Sequence, residues 1–332
     1  MKAVRVPKKD AEIVRKLAEK INAKDKSRLI VQRGDYVEIP ICEGFEEIFS
    51  NYQVIEQENP VFKREKSLYK ILKEKLPKKY HHLIPKSYKI IGDIILIKLP
   101  KQIEKYKKLI GEILLQIHPR CKSVWIDKGK EGMLREPRVE LIAGYGSETT
   151  HKESGCLFKL DISKVMYSLG NQYEKMRIAK LTKEDETVLD MFAGIGYFTI
   201  PIAKYSRAKV HAIEINPISY AYLLENIKLN KVRTVTPILG DSMHVTPESF
   251  ADRVVMGHIY CHEFLNVAIK ALDKKGFIHY HESTPEAVID RPIKRIEKAA
   301  KEENRRVKIL NFRKVKNYSP GVLHVVVDAY IY

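Results

Sequence analysis

The chain has 332 residues, 44% of them hydrophobic and 31% charged, which is room for two or three domains and the balance of a soluble globular protein. No apolar run nears the roughly 18 residues of a membrane span, and the opening "MKAVRVPKKDAEIV" lacks the apolar stretch of a secretory signal, so the cytoplasm is expected. A net charge of +18 points to a polyanionic partner or to a Lys-rich solvated surface, and with no basic amphipathic helix beside an apolar anchor a membrane surface is disfavoured.

Residues 1–62 read as a small α/β domain. In "KKDAEIVRKLAEKINA" the apolar residues Ile13, Val14, Leu17 and Ile21 have helical spacing, and "RLIVQRGDYVEIPI" gives two strands around Gly34-Asp35. The stretch "SNYQVIEQENPVFKREK" turns polar and reads as a link. Residues 63–165 form a second, α+β domain with an RNA-binding or linking role. It holds the helical "SLYKILKEKL", the hairpin "YKIIGDIILIKLP" turning at Gly92-Asp93, and the amphipathic helix "EKYKKLIGEILLQIHP" stopped by Pro119. Strands follow in "KSVWIDKG", "VELIAGYG" and "CLFKLDISKVMYS". Lys128, Lys130, Arg135, Arg138 and Lys152 fall in the loops between them, where they could grip phosphates or simply be solvated.

From residue 166 to 332 strands and helices alternate, the sign of a parallel sheet. Strands fit Thr187–Met191, Lys209–Glu214, Val235–Leu239, Arg253–Met256, Gly276–His281, Lys308–Arg313 and Leu323–Ile331. The four cysteines, Cys42, Cys121, Cys156 and Cys261, are scattered with no CxxC pair, so neither a zinc cluster nor a disulfide framework is expected.

The segment "VLDMFAGIGYFTIPIAKYSRAKVHAIEINP" carries the cofactor signal. Asp190 ends a strand, Phe192 and Ala193 lead into a turn, and Gly194 and Gly196 let a ligand approach the backbone. The third glycine of a dinucleotide fingerprint is replaced by Thr199, which weakens the case for NAD. Glu214 ends the next strand, where a carboxylate can accept both ribose hydroxyls of an adenosine. Asp241, followed by Ser242, ends the third and can accept from an adenine amino group. Three acids at successive strand ends suit a cationic adenosine ligand better than a pyrophosphate, which wants a basic or all-glycine cradle. S-adenosylmethionine is the expected ligand; a generic turn with solvent-facing acids is the alternative.

"DMFAGIGYF", "EINP", "ENIKLNKV" (225–232) and "GDS" resemble the class I methyltransferase fold of archaeal and eukaryotic enzymes that modify the purine 3′ of the tRNA anticodon. That resemblance implies a Rossmann-like, mostly parallel seven-stranded sheet in the C-terminal domain. It extends upstream through "DISKVMYSLGNQYEKMRIAKL" and covers roughly residues 65–332. The first 60 residues resemble the extra N-terminal domain of the tRNA guanine-N1-methyltransferase branch. That branch carries Asn-Leu-Pro after its fourth strand, whereas this chain reads Met256-Gly257-His258-Ile259. The glycine, "CHEF" and "IHYHESTPE" are similar to the other branch, the archaeal tRNA wybutosine-synthesizing protein 2 family.

What this second resemblance implies is a monomeric enzyme that moves the 3-amino-3-carboxypropyl group of S-adenosylmethionine onto the 4-demethylwyosine base of tRNA-Phe, releasing 5′-methylthioadenosine. Guanine-N1 methylation at the same position is the alternative, and an RNA-binding protein that has lost catalysis is a third reading. The resemblance also places Ser168 and Lys175 at the methionine carboxylate, with Arg177 the next cation. The lesser reading of Ser168 is a helix N-cap, a role compatible with the first. His262, Glu263, His279, His281 and Glu282 fall at the ends of strands four and five. His262, Glu263 and His281 are the catalytic candidates, as acceptors of the proton lost from the ring carbon. The same residues could form a structural hydrogen-bond network, and a metal site is the weakest reading.

Overall fold

The computed structural model describes residues 1–62, 67–132 and 136–332. Two compact units make up the chain, residues 1–71 and 72–332. The first contains β1 (Lys2–Pro7), α1 (Ala11–Lys20), β2 (Val31–Arg33), β3 (Tyr36–Pro40) and β4 (Gln53–Glu56). Its four strands pair antiparallel in the order β2-β3-β1-β4. Gly34, at φ +59°, supplies the left-handed turn between β2 and β3 that a side chain would resist.

The core of this unit is Val4, Val6, Val14, Ala18, Ile39, Ile41 and Phe49. The helix buries a narrower stripe than its apolar spacing suggests. Val14 and Ala18 face the sheet, while Ile13 is 68% and Leu17 40% exposed. Arg28 is buried and ties the unit together. It reaches Asp25 at 2.6 Å, Gln57 at 3.0 Å, and the carbonyls of Lys2 and Ile41 at 2.9 Å each, so its charge and its donors are satisfied.

The second unit begins within α2 (Leu68–Lys75). It continues with β5 (Lys89–Ile91), β6 (Ile94–Ile97), α3 (Lys107–Ile117), β7 (Ser123–Glu131) and β8 (Glu136–Gly144), which give a four-stranded sheet in the order β5-β6-β7-β8. Next come β9 (Glu148–Glu153) and β10 (Cys156–Asp161), an antiparallel pair. The predicted strand through Ser168 stops at Asp161, because the Asp161 carboxylate accepts from Ser163 N and Oγ and turns the chain.

The remaining elements are α4 (Gln172–Leu181), β11 (Thr187–Asp190), α5 (Thr199–Tyr205), β12 (Lys209–Glu214), α6 (Pro217–Leu229), β13 (Val235–Leu239), α7 (Ser242–Val245), β14 (Ala251–Met256), α8 (Leu265–Ala271), β15 (Leu272–Pro285), α9 (Arg291–Glu302), β16 (Val307–Ser319) and β17 (Val322–Ile331). Their seven strands are ordered β13-β12-β11-β14-β15-β17-β16, parallel from β13 to β15, with β17 antiparallel to both neighbours. This is the expected doubly wound sheet, and the chain order reverses at β11/β14. The carboxyl ends there open the crevice in which such sheets bind ligands.

The motif "ENIKLNKV" has a structural role. At the end of α6, Asn226 and the C-cap residue Asn230 lie one turn apart and pair with the backbone of β10. Asn226 Oδ1 accepts from Lys159 N at 2.7 Å and its Nδ2 donates to Lys159 O at 3.1 Å. Asn230 does the same for Leu157 at 2.9 and 2.6 Å. Two side-chain amides thus imitate a neighbouring strand.

Candidate functional site

The turn after β11 is shaped for close approach. Gly194 and Gly196 have φ +57° and +100°, so other residues would be strained there. A Cβ on Gly194 would also lie 2.5 Å from the Tyr197 ring, and one on Gly196 2.6 Å from Ile200. Glu214 clamps this turn to the end of β12. Its Oε2 accepts from Gly194 N at 2.7 Å and its Oε1 from Asn216 N at 2.8 Å. Each oxygen keeps a further lone pair for a hydroxyl. Burial raises the Glu214 pKa, opposed by these backbone donors.

Asp190 serves differently from expectation. It is fully buried, with Oδ2 accepting from Thr199 Oγ1 at 2.7 Å and Oδ1 from Phe192 N at 3.4 Å. It holds the floor of the turn rather than offering an open acceptor. Thr199 stands in the third-glycine position because its hydroxyl anchors α5 to Asp190. Burial with only neutral donors pushes the Asp190 carboxyl up to about 6, and Glu214 adds to the rise.

Asp241 caps α7, its Oδ1 accepting from Met243 N at 2.9 Å, and it stays at the strand end as expected. The Ser242 hydroxyl is buried and donates to Met191 O, which locks the β13 turn to the end of β11. Ala193 N donates to Ile213 O at 2.9 Å. The Phe192 ring is half-buried between His258 and Phe264, with centroids at 5.6 and 5.0 Å.

Around the methionine end the structure revises one assignment. Lys175 is only 2% exposed. Its Nζ donates to Glu153 at 2.8 Å, and the rings of Tyr167, Tyr197 and Phe158 lie 4.8, 5.3 and 5.8 Å away. Burial lowers its pKa and Glu153 opposes this. Lys175 is a sealed internal ion pair, not an open carboxylate ligand. Arg177 is likewise committed to Glu174 and Asp328. Ser168 makes no capping bond with its side chain; its Oγ instead accepts from Lys316 Nζ at 3.2 Å. Nothing in the Lys316 neighbourhood of the sequence flags it.

The five-residue His/Glu cluster divides. His279 is locked between Arg253 at 2.6 Å and Asp328 at 2.6 Å. Glu282 points to the other face of β15, where Arg291 and Arg295 each donate to it at 2.7 Å. His262 and Glu263 lie exposed on the turn before α8. His281 is fully buried, with Nδ1 2.9 Å from His324 Nε2. Its own Nε2 has no hydrogen-bond partner among the described residues. Burial, with His324 adding to it, holds its pKa well below 6.5, so the ring is neutral. The network reading is therefore met by His279 and Glu282. Among the described residues no group of three His, Cys, Asp or Glu could hold a metal.

The expected phosphate-gripping residues sit on strands rather than loops. Lys128 and Lys130 are exposed on β7, Arg138 on β8 and Lys152 on β9; Arg135 lies outside the described residues. Lys128 pairs with Glu140 at 2.5 Å and Arg138 with Glu131 at 3.5 Å.

The glycine turn, the Glu214 clamp and the capped Asp241 together fit the adenosine of S-adenosylmethionine. The family profile described as TRM5/TYW2 methyltransferase domain matches residues 149–310, the TYW2 N-terminal domain residues 68–149, and the tRNA methyltransferase 5 N-terminal domain residues 3–49. A tRNA(Phe) (4-demethylwyosine(37)-C(7)) aminocarboxypropyltransferase of Methanocaldococcus jannaschii is 44% identical over 73% of this chain and 97% of its own length. The tRNA (guanine(37)-N(1))-methyltransferase Trm5b of Pyrococcus abyssi is 37% identical over 98% of both chains. Its crystal structure superposes with a TM-score of 0.74 at 36% identity, covering 100% of this chain and 99% of that one. Pyrococcus horikoshii TYW2 in complex with MeSAdo gives 0.72 at 38% identity, covering 80% and 98%. The chain therefore belongs to the TYW2 family of S-adenosylmethionine-dependent transferases, related to the Trm5 methyltransferases.

Proposed function

We propose that this protein transfers the 3-amino-3-carboxypropyl group of S-adenosylmethionine to the 4-demethylwyosine base 3′ of the anticodon of tRNA-Phe. The observation that carries the reading is Gly257, in the loop where the methylase branch has Asn-Leu-Pro. A Cβ there would lie 2.7 Å from the Phe198 ring, so no Asn side chain fits beside guanine without moving a core residue. In the reaction, a ring carbon of the tricyclic base attacks the methionine-arm carbon next to sulfur. A C–C bond forms, the C–S bond breaks with its electron pair on sulfur, and 5′-methylthioadenosine leaves. The cofactor sulfonium is already activated, so the protein's task is to align the arm. The ring carbon then loses a proton. Of the three catalytic candidates, His281 is fully buried in a setting that resists protonation, while His262 and Glu263 are exposed and open to accept that proton.

The β7 and β8 cations, with the net charge of +18, support binding of the tRNA through its phosphates and shape. Exposed Lys128, Lys130 and Arg138 are the RNA-binding residues proposed here, with Arg135. The protein acts as a monomer in the cytoplasm on this reading. The test uses cofactor labelled separately in the methyl and in the carboxyl group, incubated with tRNA carrying the tricyclic precursor. Label is expected in tRNA only from the carboxyl position. Incorporation of the methyl label would instead mark a guanine methyltransferase, the reading favoured by the full-length similarity to Trm5b.

A further inference from the structure

Flipping a base out of an RNA loop leaves its neighbours without a stacking partner, and proteins that hold unstacked bases supply aromatic rings for them. The crevice at the carboxyl ends of the seven-stranded sheet is edged by such rings. They start at Phe192 in the glycine turn, whose centroid lies 5.6 Å from that of His258, and continue from His258 to Tyr260 at 5.8 Å and from Tyr260 to Tyr318 at 6.3 Å. Three segments far apart in sequence meet in this row. Its outer two rings are turned to solvent, Tyr260 being 53% and Tyr318 41% exposed.

Backbone pairing holds the row in place. Ile259 is buried and its carbonyl accepts from Ser283 N at 3.0 Å, while Tyr260 bridges antiparallel to Glu282 of β15. Tyr318 stands near the end of β16. Val322 of β17 pairs with both Ser319 and Pro285, so that end is level with the end of β15. The two tyrosine hydroxyls are 3.0 Å apart and the rings cross at 88°. An edge-to-face pair of this kind orients the rings without covering both faces of either. Single exposed aromatics are ordinary on a protein surface; a hydrogen-bonded pair that continues a row from the cofactor turn is not.

We propose that Tyr260, oriented by Tyr318, stacks a nucleobase of the anticodon loop next to the one that reacts. The assignment rests on the modified position proposed above, 3′ of the anticodon, which aminocarboxypropyl transfer and guanine methylation share. The order of the rings sets which base goes where. Phe192 belongs to the cofactor turn and His258 touches it, so the reacting base belongs beside them and Tyr260 meets its neighbour one step farther out. Every base has a π-face, so the contact senses that a flanking base is present rather than which base it is.

Binding of tRNA to the full chain tests it, with 5′-methylthioadenosine saturating so that no group can transfer. Three tRNAs are compared, one intact and two with an abasic site immediately 5′ or 3′ of the modified position. On the intact tRNA, Tyr260→Ala should weaken binding by about fivefold to a hundredfold. Tyr260→Phe, which keeps the ring and loses only the hydroxyl pair, should restore most of that loss. One of the two abasic tRNAs should bind the wild type about as weakly as Tyr260→Ala binds the intact tRNA. On that RNA Tyr260→Ala should cost nothing further, the mark of a shared contact. Tyr318→Phe should match Tyr260→Phe and add nothing to it, since both cut the same hydroxyl pair. The full Tyr260→Ala loss on both abasic tRNAs, no loss on the intact one, additive losses for the two Phe variants, or an equal loss of S-adenosylmethionine affinity by calorimetry would each overturn the assignment. The label experiment on the wild type judges the chemistry of transfer separately, so failure of one is distinguishable from failure of the other.

Discussion

The two faces of the seven-stranded sheet are built from alternate residues of the same strands, yet they solve burial differently. Under α8 and α9 the face is Val254, Met256, Ile278, Tyr280, Val327, Ala329 and Ile331. Under α4 and α5, residues one step along those strands are Arg253, His279 and Asp328. They join a line of groups running from Glu186 through Arg253, His279 and Asp328 to Arg177, Glu174 and Arg313. Arg253 can only donate to His279 Nε2, so His279 is neutral and gives its Nδ1 proton to Asp328. The signs alternate along the line, and the charges balance.

Two buried acids on this face show what the difference teaches. Asp328, beside His279 and Arg177, is held well below the usual carboxylate range although burial opposes this. Asp190, as deeply buried but met only by neutral donors, is raised to about 6. Burial alone penalises the charge; the partner decides the sign.

The largest effect should come from cutting the line. Asp328→Ala leaves Arg177 and His279 facing each other without their anion and should cost about 3–5 kcal/mol, read by urea unfolding. A loss below about 1 kcal/mol would mean that the line is not a unit. The unpaired acid should respond with the opposite pH sign. Between the unfolded value of 3.8 and about 6 the folded state holds a proton that the unfolded state has released. Wild-type stability should therefore fall as pH rises through that window, by about 3 kcal/mol in all. Asp190→Asn should flatten this dependence, and parallel slopes for the two proteins would contradict the buried, unpaired state.

Glu214→Ala should weaken S-adenosylmethionine by about 1–3 kcal/mol, the cost of leaving ribose hydroxyls unpaired, with calorimetry as the readout. Unchanged affinity would remove Glu214 from the site. On the apolar face, Ile278→Val beside His279 should cost only about 0.5–1.5 kcal/mol with no pH dependence. A larger loss would mean that the two faces are less independent than their packing suggests.

The cofactor half was readable from sequence because parallel strands buried on both faces leave short apolar runs punctuated by glycine and acids. β12 and β13 match their expected limits. β9, "ETTHKE", was invisible because it carries no apolar residue and exists only through its pairing with β10. β1 has no turn signal ahead of it and β4 sits in a polar stretch, so neither stands out in the sequence. Asp190, Glu214 and Asp241 were found at their strand ends, but sequence could not tell a floor residue from an open acceptor, since that depends on Thr199 and Phe192. Lys175 and Lys316 illustrate the same limit. Both are lysines, and only tertiary packing shows that one faces Glu153 and the other Ser168.

The asparagine pair on α6 bears on how the chain can be divided. A strand edge without a partner is a template for aggregation, and among the described residues the free edge of β10 is met by side chains that arrive 67 and 73 residues later in the sequence. A fragment ending near residue 165 would display that edge bare. A fragment starting near residue 147 would keep the hairpin with the helix that covers it. Expression of the two pieces should separate a sticky fragment from a well-behaved one, and the working seam of the molecule then lies before β9 rather than after β10.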